Sequence, residues 1–365
     1  MNENIMMEYI YSEPQLLEEL LENRQYLCEN FVKHFKSHSV KRVYFSGNGS
    51  PYNASAVIRY MIEKLLRVEA SVEYPSMFNN HCSFNANGVY KPDEMLLICP
   101  AQSGRTTGPV YAARKARSLG IPVVCTTLIK SGVLAGECDI IIDKGTGMEK
   151  SFPETKGHVA TLAILMLCVI ETAHELKTIT EEEYQHYITS FASLANSCRA
   201  VIDATEAWYE KHKDVLLKAK DLVFLGYGTG YPTAVEGGLK ILETTLIPCM
   251  SYECEEYMHG QNQAVTADSV IFFICPREPE QARMHELLTW CRQHTQHCFL
   301  LAHTDDPLAD NCSLCCDFTD CEFLSAIEYL IPFQIISHRM ARDMGMSTIV
   351  AHHDDAGKEL HVRFE

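Results

Sequence analysis

A net charge of −17 over 365 residues excludes a chain built to grip a nucleic-acid backbone, which is held by clustered Lys and Arg. With 47% hydrophobic and 22% charged residues, global disorder is excluded too, and the length suits two domains. An acidic chain can still bind one small anion in a local pocket.

Residues 1–15 (MNENIMMEYIYSEPQ) carry neither a basic n-region nor an apolar h-region, and the chain holds 16 cysteines. Reduced thiols in the cytoplasm are the expected setting. Residues 1–40 read as an N-terminal helical segment, with a helix over 15–36. Short apolar runs then alternate with helical patterns, as in β–α units around a parallel sheet. Strands are predicted at 42–47 (RVYFSG), 70–74, 94–100 (EMLLICP), 122–128 and 139–143, and helices at 52–66, 106–119 and 156–176. The longest nearly apolar run, VATLAILMLCVI (159–170), is shorter than the roughly 18 residues of a membrane span, so a buried helix and no membrane partner are expected.

After a polar, Glu-rich helical stretch (180–197) the pattern restarts. Strands are predicted at 221–226 (DLVFLG), 269–276 (SVIFFICP) and 297–302 (HCFLLA), with helices near 231–245, 279–294 and 324–344. The restart is a repeat. VYFSGNGSPYNASA (43–56) lies over LVFLGYGTGYPTAV (222–235) at an offset of 179, and Ile98-Cys99-Pro100 over Ile274-Cys275-Pro276 at 176. The fold class is therefore α/β, with the N-terminal segment followed by two similar domains, 41–195 and 196–365, and a boundary between 178 and 215. Cys312, Cys315, Cys316 and Cys321 crowd a segment that itself reads as a strand (SLCCDF), where neighbouring side chains face opposite ways. Free buried thiols are expected there, and no metal.

In open α/β sheets ligands sit beyond the carboxyl ends of the strands. Gly47-Asn48-Gly49-Ser50 lacks the third glycine and the acidic ribose partner of a dinucleotide fingerprint, and no P-loop motif occurs, so no cofactor is expected. The run Gln102-Ser103-Gly104-Arg105-Thr106-Thr107 lies where a strand gives way to a helix. Ser103, Thr106 and Thr107 offer hydroxyls, Gly104 admits close backbone approach, and the helix start directs N–H groups at one point, which suits a sugar phosphate. Plain N-capping is the competing explanation. In the second half, Glu236, Lys240 and Glu243 fall at i, i+4 and i+7 on one helix face, followed by Glu253, Glu255, Glu256 and His259. A carboxylate with a histidine can shuttle protons between sugar carbons, whereas a solvated charged face would do nothing.

These motifs, with GTGMEKSFPETKG (145–157), GYPTAVEGGLKILE (230–243), EEYMHG (255–260) and GKELHV (357–362), resemble the sugar isomerase (SIS) domain family. Within it the chain is similar to the tandem isomerase half of glucosamine-6-phosphate synthases and to the fructosamine and glucosamine 6-phosphate deglycases. The resemblance implies two flavodoxin-like three-layer SIS domains. It also implies that Ser50, Gln102, Ser103 and Thr106 are phosphate and sugar ligands, with Gly104 and Thr107 beside them. Glu243 becomes the base acting between C1 and C2, preceded by Lys240 and Glu236 as in the family. His259 becomes the ring-opening histidine, which related enzymes take from the partner subunit, so a homodimer with active sites at the interface is implied. Lys358 resembles a lysine near the synthases' C-terminus. Ala101 stands where the synthases have a serine, Gln261 where they have proline, and Glu154 where they have serine. Those departures near the sugar imply a different substrate, and the missing glutaminase implies no glutamine-fed amination. The expected activity is a deglycase or deaminase acting on an amino-sugar 6-phosphate or a 6-phosphoglycated amino acid. A simple aldose–ketose isomerase and a non-catalytic phosphosugar sensor are the alternatives.

Overall fold

The computed structural model describes residues 4–364 apart from Ser83, Phe84, Asn87, Asp320 and Asp354. One sheet comprises β1 (Arg42–Ser46), β2 (Glu69–Glu73), β3 (Met95–Pro100), β4 (Val123–Thr126) and β5 (Ile140–Ile142), in the order β2-β1-β3-β4-β5. The other comprises β6 (Leu222–Gly226), β7 (Cys249–Glu253), β8 (Val270–Ile274), β9 (His297–His303) and β10 (Leu314–Cys316), in the order β10-β9-β8-β6-β7. Every strand pair is parallel. Read from β7, the second order repeats the first strand for strand, the flavodoxin-like 2-1-3-4-5 arrangement. The α/β class and the internal repeat are as the sequence indicates.

Three helices precede β1: α1 (Ile5–Tyr11), α2 (Glu13–Glu22) and α3 (Arg24–Ser37). The first half continues with α4 (Ser50–Met61), α5 (Pro75–Asn80), α6 (Thr107–Ser118) and α7 (Lys156–Glu175), and α8 (Glu181–Leu216) follows. The second half adds α9 (Gly230–Thr245), α10 (Cys254–Met258), α11 (Gln281–Cys291) and α12 (Ser325–Asp343), and α13 (Ala356–Glu359) lies near the C-terminus. The central strands β3, β6 and β8 are buried along their whole length, as parallel strands covered by helices on both faces must be. In the second half the core is aromatic: Phe224 stacks on Phe272 at 5.1 Å, and Phe333 of α12 meets both edge-on.

Several boundaries differ from the pattern. The helix expected over 15–36 breaks at Asn23 into α2 and α3. The polar stretch taken as a boundary is part of the 36-residue α8, whose buried Phe191, Leu194, Cys198, Val201 and Thr205 recur at three and four residues along one stripe. β7 was not foreseen. It is an edge strand, half-buried, and its CMSYE sequence lacks a β-branched run. Helix α7 is long and apolar enough to cross a membrane, yet residues 157–173 are all buried within the protein.

The chain forms two compact units. One holds Gln15–Glu149, Lys156–Ala192 and His352–Glu365, with the first sheet; the other holds Met1–Pro14, Lys150–Thr155 and Ser193–Ala351, with the second. Residues 150–155 and 352–365 each group with the sheet opposite to the one their sequence position suggests.

Candidate functional site

The strand order reverses between β1 and β3, and crevices at such switch points are where open α/β sheets take ligands. Two loops line this one: residues 47–49 after β1 and 101–106 after β3. They adjoin, since a Cβ on Gly108 would lie 3.2 Å from Asn48 Nδ2. Gly104 has φ +63°, and a Cβ there would also press on Thr127 Oγ1 at 3.2 Å and Leu134 Cβ at 3.3 Å, so only glycine suits this turn. The turn is tied down from beneath. Leu134 N–H donates to the Gly104 carbonyl (3.0 Å), and Leu128 N–H (3.1 Å) and the Thr127 hydroxyl (3.3 Å) donate to that of Gln102.

Thr106 is the N-cap residue of α6, but its side chain caps no helix N–H. Capping by Thr106 therefore does not account for its hydroxyl; since residue 109 is proline and the Val110 N–H turns back to the Thr106 carbonyl (3.4 Å), the first turn leaves the Gly108 N–H for an anion. Ser103 Oγ accepts a long hydrogen bond from Arg105 N–H (3.4 Å), and Ser50 is buried at the start of α4. Thr107 is used differently. Its N–H donates to the Val362 carbonyl (3.0 Å), and its hydroxyl to the carbonyls of Val362 (3.3 Å) and His361 (3.4 Å). Phe364 N–H reaches the Arg105 carbonyl (2.8 Å), Thr106 bridges Arg363, and the Phe364 ring packs on Tyr111. Residues 361–364 thus strap the helix start, and α13 just before them carries Lys358, with no buried residue. The strap went unforeseen: Leu360, Val362 and Phe364 alternate with polar residues, but the run is too short to stand out, and pairing through backbone groups leaves little further mark on side-chain choice.

In the second unit, the glycine pair in EGGLKILE explains how charge comes to be buried. A Cβ on Gly237 would fall 2.5 Å from the Phe333 ring, and one on Gly238 2.8 Å from Ser251 Oγ, so α9 packs tightly against α12 on one side and β7 on the other. That approach buries Glu236 and Lys240, each with a side chain only 1% exposed. Lys240 Nζ lies 3.3 Å from Glu236 Oε1 and 2.8 Å from Glu243 Oε2, while the Glu243 side chain remains 27% exposed. Burial alone would lower the Lys240 pKa, but Glu236 and Glu243 outweigh it and hold it above its ordinary value. Burial pushes the Glu243 carboxyl up, Lys240 opposes this, and Glu236 and Glu154 add to the rise. The arrangement can accept and return a proton at one accessible carboxylate beside a permanently charged ammonium.

His259 follows α10, exposed. Its Nδ1 lies 2.6 Å from the Glu255 carbonyl, which can only accept, so the neutral ring carries its proton on Nδ1 and leaves Nε2 as the basic nitrogen. Glu255 is held by the Tyr227 hydroxyl (3.0 Å) and Arg283 Nε (2.9 Å). The Gln261 amide reaches Glu256 Oε1 at 3.3 Å. The structure therefore brings Glu154, Glu236, Lys240 and Glu243 together in one unit, and Gln102, Ser103, Gly104, Thr106 and Thr107 beside the β1–α4 loop in the other. A cavity of about 770 Å³ beside Met250, Tyr252 and Tyr257 is lined by Gln261 and by none of the other candidate residues. The thiols of Cys312, Cys315, Cys316 and Cys321 are free, and among the described residues they form no ligand set.

The SIS domain family model matches residues 38–171 and 215–340. The glutamine–fructose-6-phosphate aminotransferase of Clostridium tetani is 23% identical over 282 residues, covering 76% of this chain and 45% of that protein. The chain spans about half the length of the curated relatives it matches. Among solved structures, one described as a phosphosugar isomerase from Clostridium difficile 630 superposes with a TM-score of 0.87 at 24% identity, covering 97% of both chains. Glucosamine-6-phosphate deaminase from Thermotoga maritima does so at 0.72 and 20% identity, covering 96% of this chain and 98% of that one. At these identities the likeness shows a shared fold.

Proposed function

Because the chain belongs to the SIS domain family, we propose that it is a phosphosugar enzyme of the isomerase kind, and specifically one that releases an amine from an amino-sugar 6-phosphate or a 6-phosphoglycated amino acid. The observation that carries this reading is the buried Glu236–Lys240–Glu243 chain ending in one accessible carboxylate. Burying a lysine between carboxylates opposes folding unless all three are well paired, and a sensor needs only an anion grip. Relatives named as a glutamine–fructose-6-phosphate aminotransferase, a glucosamine-6-phosphate deaminase and a tagatose-6-phosphate ketose/aldose isomerase support a substrate of this class.

In this reading Ser50, Gln102, Ser103, Thr106 and the Gly108 N–H of α6 take the phosphate. His259 Nε2 opens the ring, and Glu243 removes a proton from one carbon of the C1–C2 pair and returns it to the other. With a fructosamine 6-phosphate the proton leaves C1 and is restored at C2. The product is a C1 imine, whose hydrolysis consumes one water and yields aldose phosphate and free amine. With glucosamine 6-phosphate the shift runs from C2 to C1, and hydrolysis of the C2 imine gives ketose phosphate and ammonia. Glu154 and Gln261 are assigned to recognition of the amine substituent, Lys358 to the strapped C-terminal segment, and exposed His259 to a site completed by a second copy of the chain.

Incubation with 6-phosphofructosyl-amino acids, glucosamine 6-phosphate and fructose 6-phosphate, following sugar phosphate and released amine, tests this. Amine release from either of the first two is expected. Interconversion of fructose 6-phosphate without activity on the amines would favour a simple isomerase. Thermal stabilisation by a sugar phosphate with no turnover of any would favour a sensor.

A further inference from the structure

The second switch point lies between β6 and β8 and has the same backbone plan as the first, but different chemistry. Cys275 follows β8, buried, with its N–H on the Leu301 carbonyl of the neighbouring strand (2.9 Å). Asp306 follows β9 and its side chain is fully buried. His285 lies on α11 with its ring 18% exposed. One ligand atom from each, Sγ, a ring nitrogen and a carboxylate oxygen, falls within 4.8 Å of the other two.

We propose that Cys275, His285 and Asp306 form a binding site for one zinc-class divalent transition metal ion. The set mixes thiolate, imidazole and carboxylate, which selects zinc and its neighbours over magnesium or calcium. A tetrahedral zinc ion at ordinary bond lengths places such ligands roughly 3.3–3.6 Å apart. His285 Nε2 and Asp306 Oδ2 stand 2.9 Å apart, and closing the thiol onto them requires a shift of roughly 1.5 Å or less, given those bond lengths. The carboxylate is already aimed: Leu308 N–H donates to Oδ1 (2.9 Å) and the Gln281 amide to Oδ2 (3.2 Å), the outer contacts that orient metal ligands. Binding releases the Cys275 thiol proton to solvent. The His285 proton now shared with Asp306 is carried on Nδ1 instead, so Zn²⁺ with one thiolate, one carboxylate and one neutral imidazole is a neutral unit with one open position.

The repeat supplies an internal control. Cys99 occupies the place of Cys275, and its thiol points to the Pro109 carbonyl at 3.9 Å. Aligning the starts of α6 and α11 sets Tyr111 against His285, and the strand registers (Ile98 beside Val124, Ile274 beside Leu301) set Ile129 against Asp306. The first half therefore has a phenol and an aliphatic side chain where the second has imidazole and carboxylate. The cluster is not an inherited accident of the shared backbone.

The test uses the full chain, stripped with a chelator and titrated with cobalt(II), then with zinc against a chromophoric competitor. One equivalent of cobalt is expected, with a thiolate-to-metal charge-transfer band that zinc abolishes, and His285→Gln should weaken binding at least about tenfold. Cys275→Ala should remove the band, and Asp306→Asn provides a further variant of unchanged shape should the alanine fail to fold. A band that persists in folded Cys275→Ala, affinity unchanged in His285→Gln, or no stoichiometric binding at micromolar metal would each overturn the proposal. Phosphosugar turnover plays no part in these readouts.

Discussion

The two switch-point crevices share one strand order and differ in sign. Where the first presents Gln102-Ser103-Gly104-Arg105-Thr106-Thr107, the same offset of 176 places Glu278-Pro279-Glu280-Gln281-Ala282-Arg283 in the second. The first is a hydroxyl-lined helix start whose Thr106 side chain caps no N–H. In the second, the Thr229 hydroxyl donates to a Glu278 whose carboxyl is pushed up to about 7, chiefly by burial and further by Glu280 and Glu322. A duplicated sheet thus fixes where a ligand would sit, and a handful of loop residues decides its charge. The second half also carries a charged face on α9, with the proposed base Glu243, where Gly237 and Gly238 let that face be buried.

The sharpest way to break this division of labour is Glu243→Gln. Turnover on the amine-bearing substrate should fall by about 10²–10⁴-fold, while phosphosugar affinity by calorimetry stays near wild type. Ser103→Ala with Thr106→Ala should instead weaken affinity first, by roughly 10–100-fold for the loss of hydrogen bonds to a charged group; Glu278→Gln should not change it. The reverse pattern would mean that the roles of the two halves are exchanged. Gly237→Ala places a methyl 2.5 Å from the Phe333 ring and should cost about 1–3 kcal/mol in a denaturant melt, whereas Gly136→Ala, with nothing within 4 Å, should cost little.

Two smaller effects depend on pH. Glu243 works as a base only when ionised, and its pKa lies above the usual carboxylate value, so the acid limb of kcat/KM should sit above that value too. Because Glu236 contributes to the rise, Glu236→Gln should move the limb to lower pH, and an unmoved limb would assign it to another group. Glu278 has the smallest expected signal. Its folded pKa is raised, so the native state binds the extra proton: its contribution to stability is complete below about 4.5 and is lost as pH rises through about 7. Metal-free Glu278→Gln should flatten that slope between those pH values in thermal melts.

Much of this was legible in the sequence. RVYFSG, EMLLICP, DLVFLG and SVIFFICP are runs that only a doubly covered parallel strand would bury, and all four are strands. The turn at Gly104 and the i, i+4, i+7 charges were likewise readable, because local backbone geometry and helix period are written in neighbouring residues. The edge strand β7, the strap at 361–364 and the approach of Cys275, His285 and Asp306 were not, because each depends on groups far apart in the chain. The crowded cysteines at 312–321 read as free thiols on a strand, and Cys315 and Cys316 are successive residues of β10, whose side chains point to opposite faces.

By itself the amino-acid order determined the repeat, the alternation of strand and helix, and the residue types able to hold an anion or move a proton, since these follow from composition and from periods of two and 3.6 residues. Tertiary structure alone decided which charges are buried and what their pKa values become, because desolvation and Coulomb coupling depend on packing distances that no short stretch encodes. Lys240 shows the difference: its spacing to Glu236 and Glu243 is visible in the sequence, but its burial between them follows from the close fit of Gly237 against Phe333.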